Sequence, residues 1–240
     1  ARLVAEEGVY AIELKREGYR AWKRNLTLEG GSLRRLTYAR LVPEKIDSDT
    51  LLTLPGAPSL TSQSNDKRWV IFFSNENPLL MQVLDLERTQ AQLFPLQLPV
   101  DFLKTKEPGT WKVVDWADDN KTMLATYSTA SGVEAVLINR EDATKSVNIT
   151  SLYPGISISE VQLRARKNDL VYLFDKKSGT VLRADVTQKT SEAVLSNVLA
   201  FMSYGEETFL YVTKGDAKEG MVEVLLKVAD KSYKLRDIQE

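Results

Sequence analysis

The 240 residues include no cysteine and no histidine. Without cysteine, neither disulfides nor thiolate metal sites can operate. Without histidine, the Ser-His-Asp and Cys-His nucleophile systems, the usual zinc ligand set and the commonest general base near neutral pH are all removed. A chain free of cysteine suits an exported bacterial protein that does without disulfides, and it suits a cytoplasmic protein equally well. No apolar run approaches the roughly 20 residues of a membrane-spanning helix. The N-terminal Ala1-Arg2-Leu3-Val4 lacks the basic-then-apolar layout of a signal peptide. Because the chain starts without Met and without a clear domain edge, it is read as a fragment, and the absent targeting segment says little about where the parent protein resides.

Charge of one sign is also lacking, since the formal net charge is −1. A general nucleic-acid binder needs a basic surface to displace phosphate counterions, so that class is argued against. The distribution is less even than the total. Up to Lys45 the balance is +4, and the remainder carries −5, an asymmetry that suggests two modules. With 43% apolar and 27% charged residues the chain reads as an ordinary globular protein.

What is present is a repeat. Trp111 to Thr126 reads as an apolar strand ending in Trp116, a polar turn Asp118-Asp119-Asn120-Lys121, and a second strand with Met123-Leu124-Ala125. The outline recurs where Ser64-Asn65-Asp66-Lys67 leads into Trp69 to Phe73, Arg166-Lys167-Asn168-Asp169 into Leu170 to Phe174, and Tyr204-Gly205-Glu206-Glu207 into Phe209 to Val212. The landmarks Trp69, Met123, Leu170 and Phe209 are spaced at 54, 47 and 39 residues, and units of roughly 40 to 50 residues mark propeller blades. Helical arrays share that period, but the runs around Val83, Val136, Val181 and Val222 are short and aliphatic or β-branched. Turns such as Ser131-Gly132 and Ser178-Gly179 bound them. One short helix is read around Thr190 to Leu195. The expected fold is therefore all-β, with a small β-sandwich-like module over 1–43, a linker over 44–58 holding one strand at Thr50 to Leu54, and about four blades of an incomplete or open β-propeller over 59–240.

Within the first module, Val9, Ala11 to Leu14, Leu26 and Leu28 alternate with polar residues at a strand's period. Three or four short strands are expected, with Gly18 and Gly30-Gly31 as turns. The run Lys15-Arg16-Glu17-Gly18-Tyr19-Arg20-Ala21-Trp22, the pair Leu26 and Leu28, and the closing Leu41-Val42-Pro43 resemble the second half of the PEGA domain, a small β module of bacterial and archaeal surface proteins. The name-giving tetrapeptide is not present. Gly18 is expected at positive φ, and Tyr19 and Trp22 are read as packing residues ahead of ligand contacts. Trp116 to Lys121 and Ser64 to Trp69 are similar to the blade opening of WD40-like propellers of the TolB and dipeptidyl-peptidase type, with its glycine replaced or missing. That resemblance implies fold more than function, and gives the motif's Asp a turn-stabilising job.

Chemistry-bearing motifs are few. Neither GxxxxGK[ST] nor GxGxxG occurs, and Gly30-Gly31-Ser32-Leu33-Arg34 fails the GxSxG elbow at its last position. Asp115, Asp118 and Asp119 lie close enough for a calcium cluster, but the EF-hand spacing is not met, and turn stabilisation is the favoured reading. Many carboxylate pairs suited to glycoside hydrolysis are conceivable among the 33 acidic residues, yet none stands apart. Lys23-Arg24 and Arg34-Arg35 are either exposed strand faces or a contact for an anionic wall polymer or lipid head group. No catalytic, cofactor-binding or metal residue is assigned, no cofactor is expected, and the binding residues stay open. The expected function is a non-enzymatic bacterial surface or envelope module in which the PEGA-like domain tethers a propeller that binds protein or cell-envelope glycan, with the parent protein extracellular or in the cell envelope and membrane-anchored through a missing N-terminal segment. The alternative is the propeller portion of a dipeptidyl-peptidase-like hydrolase whose catalytic domain lies beyond Glu240. Trp116 is expected in a blade core, and Asp119 at an exposed turn position that contributes about 1 kcal/mol or less.

Overall fold

A computed structural model describes residues 4–36, 39–46, 48–54, 56–74, 76–88 and 90–239. The chain divides into two units, Ala1–Leu51 and Leu52–Glu240.

In the first unit β1 (Gly8–Leu14) and β2 (Trp22–Leu28) pair as an antiparallel hairpin, with Tyr10 opposite Leu26 and Leu14 opposite Trp22. Side chains alternate across a strand, so Tyr10, Ile12, Leu26 and Leu28 share the half-buried face while Val9 is 73% exposed. Gly18 has φ +76°, a left-handed conformation that glycine adopts without steric cost. It places Tyr19 in a single bridge with Pro43, flanked by Arg20 N–H to Val42 O and Glu44 N–H to Gly18 O, both 2.8 Å. Of the three or four strands expected, the described residues form two and this bridge. Pro43 has no N–H with which to extend a ladder. The result is a hairpin with a bridging segment rather than two packed sheets. Tyr19, beneath the Arg16 guanidinium at 4.7 Å, and Trp22 are half-buried.

The second unit consists of four antiparallel meanders, each with its strands in chain order. Blade 1 is β3 (Leu60–Gln63), β4 (Trp69–Phe73), β5 (Leu80–Asp85) and β6 (Leu93–Gln97). Blade 2 is β7 (Thr110–Trp116), β8 (Thr122–Thr129), β9 (Gly132–Asn139) and the short β10 (Val147–Asn148), followed by one helical turn α1 (Ile149–Leu152) capped by the Asn148 side chain. Blade 3 is β11 (Ile158–Leu163), β12 (Leu170–Asp175), β13 (Thr180–Asp185) and β14 (Thr190–Leu195). Blade 4 is β15 (Val198–Tyr204), β16 (Thr208–Thr213), β17 (Met221–Val228) and β18 (Lys231–Gln239). The landmarks Trp69, Met123, Leu170 and Phe209 all fall at the start of a second strand, which is why their spacing measures the blade.

Blades 2 and 3 are apolar on both faces because each serves two neighbours, blades 1 and 4 each meet one, and the core is accordingly three slabs. Ile71, Phe73, Met81 and Val83 of blade 1 meet Trp111, Trp116, Met123 and Tyr127 of blade 2. Leu124, Ala135 and Leu137 on the other side of blade 2 meet Val161, Val171 and Leu173 of blade 3. Tyr172, Phe174 and Val181 meet Val198, Phe201 and Phe209 of blade 4. First strands of neighbouring sheets approach one another, β3 with β7 and β7 with β11.

Two elements differ from expectation. Thr190 to Leu195 is not a helix but the edge strand β14, whose residues 190–193 are exposed and whose Leu195 pairs with Val181. Pairing with β13 overrides a local composition that carries little strand signal. Thr50 to Leu54 forms no strand. A strand needs a ladder partner, and β18 already supplies the fourth strand of the last sheet.

Candidate binding rim

The turns that join first to second strands are built alike. In blade 1, Ser64 N–H donates to Trp69 O (2.9 Å) and Lys67 N–H to Ser64 O (3.0 Å); in blade 2, Ala117 N–H donates to Thr122 O (2.9 Å) and Asn120 N–H to Ala117 O (3.0 Å); in blade 3, Arg164 N–H donates to Leu170 O (2.9 Å) and Lys167 N–H to Arg164 O (3.0 Å). Reversal requires a left-handed residue, and Lys67, Asn120, Arg166 and, in blade 4, Gly205 take φ of 68°, 53°, 53° and 65°. Only the last is a glycine. The other two types, asparagine aside, occupy a region that costs an L-residue about 1–2 kcal/mol.

These turns are stitched to each other along one rim. Asn65 Nδ2 donates to Trp116 O (2.9 Å) and Asn120 Oδ1 accepts from Asp66 N–H (3.1 Å). Asp118 N–H donates to Arg166 O (2.9 Å), Asn168 Nδ2 to Asp119 Oδ2 (2.9 Å), and Arg166 Nε lies 3.4 Å from Asp115 Oδ2. Ala165 N–H donates to Gly205 O (3.2 Å), Lys167 Nζ pairs with Glu206 (3.1 Å), and the Tyr172 hydroxyl donates to Glu206 O. Asp115 and Asp119 thus act in the turns and seams. Asp119 is half-buried rather than exposed, and its carboxylate accepts from Lys121 N–H, Thr122 N–H, the Thr122 hydroxyl and Asn168. Burial pushes its carboxyl up, and these donors outweigh it and hold the group below the ordinary carboxylate range.

Trp116 lies where expected, 3% exposed, with its indole N–H on Ser62 Oγ of blade 1 at 2.9 Å. Trp69 is faced by two guanidinium groups, Arg140 at 3.6 Å and Arg68 at 4.8 Å from the ring centre. Arg68 also forks onto the buried Asp85 (2.9 and 2.8 Å) and draws its carboxyl down to about 2. Glu134, another buried carboxylate, accepts from Lys104 N–H, Thr105 N–H and Asn148 Nδ2 and clasps the 102–105 segment to blade 2. Lys23 pairs with Glu13 at 3.0 Å, and Arg34 and Arg35 are exposed.

Among the clefts that the described residues of this unit form are two at its opposite ends. One, of about 380 Å³, lies at the opposite end of blades 1 and 2 against Pro78, Pro108, Trp111 and Tyr127. Trp111 and Tyr127 already donate there, to Pro78 O and Glu107 O. The other, of about 450 Å³, opens at the turn rim of blade 3 between Arg164, Arg183, Asp185, Thr190, Ser191 and Glu192. Arg164 and Arg183 were not legible as site residues, because 32 lysines and arginines offer no contrast in sequence. Superposing the blades by register supplies the missing signal.

No protein-family model matches this sequence, and no curated protein matches it either. Solved structures do. An uncharacterized protein of Listeria monocytogenes aligns over 96% of this chain and 63% of its own, with a TM-score of 0.51 at 11% identity. A protein assigned as TolB from Agrobacterium tumefaciens aligns over 95% and 77%, with a TM-score of 0.48 at 14% identity. AztD from Citrobacter koseri aligns over 95% and 59%, with a TM-score of 0.44 at 12% identity. The likeness is one of fold alone. The chain spans between about three fifths and three quarters of the length of these proteins.

Proposed function

We propose that this chain is a non-enzymatic recognition module of a bacterial envelope protein, in which the stitched turn rim of the propeller blades is the binding face for a protein or a cell-envelope glycan. The observation that carries this reading is the rim itself. Four turns from four sequence repeats are locked to one another by hydrogen bonds and ion pairs, and a cleft lined by charged and hydroxyl side chains opens among them. Loops held on a rigid scaffold are where recognition is placed, and holding them in advance lowers the ordering cost of binding. The lack of histidine and cysteine supports a binder over a hydrolase. The envelope location rests on the resemblance of Lys15 to Pro43 to a PEGA domain, whose landmarks Gly18-Tyr19 and Val42-Pro43 meet in one bridge. No helix among the described residues is long and apolar enough to cross a membrane.

Binding of the purified chain to an array of envelope glycans and to purified envelope proteins tests the proposal. Lys167→Glu, on the rim, is expected to weaken the bound partner about tenfold or more, and Glu76→Lys, at the opposite end, to leave it unchanged. The reverse pattern overturns the rim. A hydrolytic turnover of ester, peptide or glycoside substrates that one Asp or Glu substitution abolishes overturns the non-enzyme reading and favours the hydrolase alternative.

A further inference from the structure

Blade 3 breaks the pattern of its own repeat at two places. The residue whose N–H closes the turn is Ser64 in blade 1 and Ala117 in blade 2, both wholly buried, and in blade 3 it is Arg164. Opposite Ile71 and Leu124 stand Val83 and Leu137, each 3% exposed, and opposite Tyr172 at the matching position stands Arg183. Two positions that are small or apolar in the neighbouring blades therefore carry guanidinium groups, with side chains 16% and 33% exposed. Burying a charge is costly unless it is paired and hydrogen-bonded, and neither arginine fills its position with a small or apolar side chain as its counterparts in blades 1 and 2 do. Local rules broken without a compensating gain in packing point to a functional site.

The pairing they find is incomplete. The Arg164 Nε–H is buried and has no acceptor. Its Nη2 reaches Glu206 only at 3.7 Å, and Arg183 pairs with Glu192 and, at 3.6 Å, Glu207. These three carboxylates are 51%, 59% and 57% exposed. Pairs with such exposed partners contribute about 0–1 kcal/mol, so another carboxylate can replace them.

We propose that the cleft between Arg164 and Arg183 binds the carboxylate of a ligand that carries hydrogen-bond donors beside it, an amino or hydroxy acid either free or at the end of a peptide. The guanidinium fork matches a planar carboxylate in two parallel bonds, and Arg164 and Arg183 both line the cleft, the buried Arg164 Nε–H beneath it reporting on how that guanidinium is held. Thr190 and Ser191 line the same cleft. Asp185 and Glu192 beside them accept from the ligand's own N–H or O–H groups and repel a dianion, which selects carboxylate over phosphate. The proposal rests on the reading of this rim as a binding face and names the chemistry it takes.

The test is a titration of the full chain followed through the arginine Nε–H resonances. The probes are lactate, alanine, a tetrapeptide with a free carboxy-terminus, the same tetrapeptide amidated, and inorganic phosphate. The carboxylate probes are expected to shift the Arg164 Nε–H and slow its exchange with water, phosphate to bind about tenfold more weakly, and the amidated peptide to leave it unmoved. Equal response to the free acids and the peptide assigns recognition to the carboxylate alone; a response to the peptide only assigns it to a chain terminus. Arg164→Ala and Arg183→Leu restore the residues of blade 2, so both are expected to keep the melting temperature while losing about tenfold or more in probe affinity. An unmoved Arg164 resonance at saturating carboxylate, or variants that bind as the parent does, overturns the pocket. If Lys167→Glu still abolishes partner binding while Arg164→Ala does not, the pocket fails and the recognition rim stands.

Discussion

At the scale of single residues, Trp116 shows how one side chain serves two blades. In a regular strand Val114 and Trp116 would share one face, but a bulge between Val113 and Asp115 shifts the register, and the two side chains pack into different slabs. Trp116 fills the space between blades 1 and 2 and anchors its indole N–H on Ser62. Trp116→Ala is expected to lower unfolding stability in urea by about 3–5 kcal/mol, the cost of a large void plus the lost transfer of the ring. A midpoint equal to the parent's contradicts a core role. Asp119→Ala removes four hydrogen bonds instead of an idle surface group, and is expected to cost about 1–2 kcal/mol in the same measurement. Asp85 adds a pH dependence. Its folded carboxyl lies at about 2 against an ordinary 3.8, so its contribution is fully present above about pH 4 and is lost as pH falls toward 2. Asp85→Asn is expected to flatten that part of the acid-unfolding profile; an unchanged profile rejects the Arg68–Asp85 assignment. Trp116 was legible in sequence because a bulky apolar residue next to a polar turn has few alternatives. Asp119's bond to Asn168, 49 residues away, was not, because it exists only when blades stack.

At the scale of elements, second and third strands were the readable ones. They are flanked by neighbours on both sides and carry continuous apolar runs, as Leu170 to Phe174 and Val136 to Ile138 do. Edge strands answer to one neighbour, so β14 reads Thr-Ser-Glu-Ala-Val-Leu and β18 alternates charge with tyrosine and leucine, compositions that a helix or loop also permits. The close approach of Gly109, just before β7, to the end of β8 was invisible for another reason, since it depends on an atom that is absent. A Cβ on Gly109 would stand 2.4 Å from Ser128 O and 2.8 Å from the Tyr127 ring. Gly109→Ala is therefore expected to destabilise by about 1–3 kcal/mol by forcing the backbone apart, with cross-peaks of Thr110 and Ser128 moving most. Parent-like stability would show that the strands do not meet there.

At the scale of the molecule, the same polar turn recurs because each blade must be both a sheet and a neighbour. The apolar faces make three slabs and the turns tie their ends, so the slabs and the rim are formed together. The repeat spacing gave the number of blades, and the first unit was less readable because its hairpin face is only half-buried and lacks the contrast that a core imposes on sequence. The stacking of sheets in chain order is the claim on which the rim, the cleft and the proposed function all depend. Nuclear Overhauser contacts of the Trp116 indole N–H test it most directly. Stacked blades place that proton against Ser62, 54 residues earlier and in another sheet, and a strong contact with slow solvent exchange is predicted. Contacts confined to β7 and β8, with rapid exchange of the indole proton, would contradict the stack.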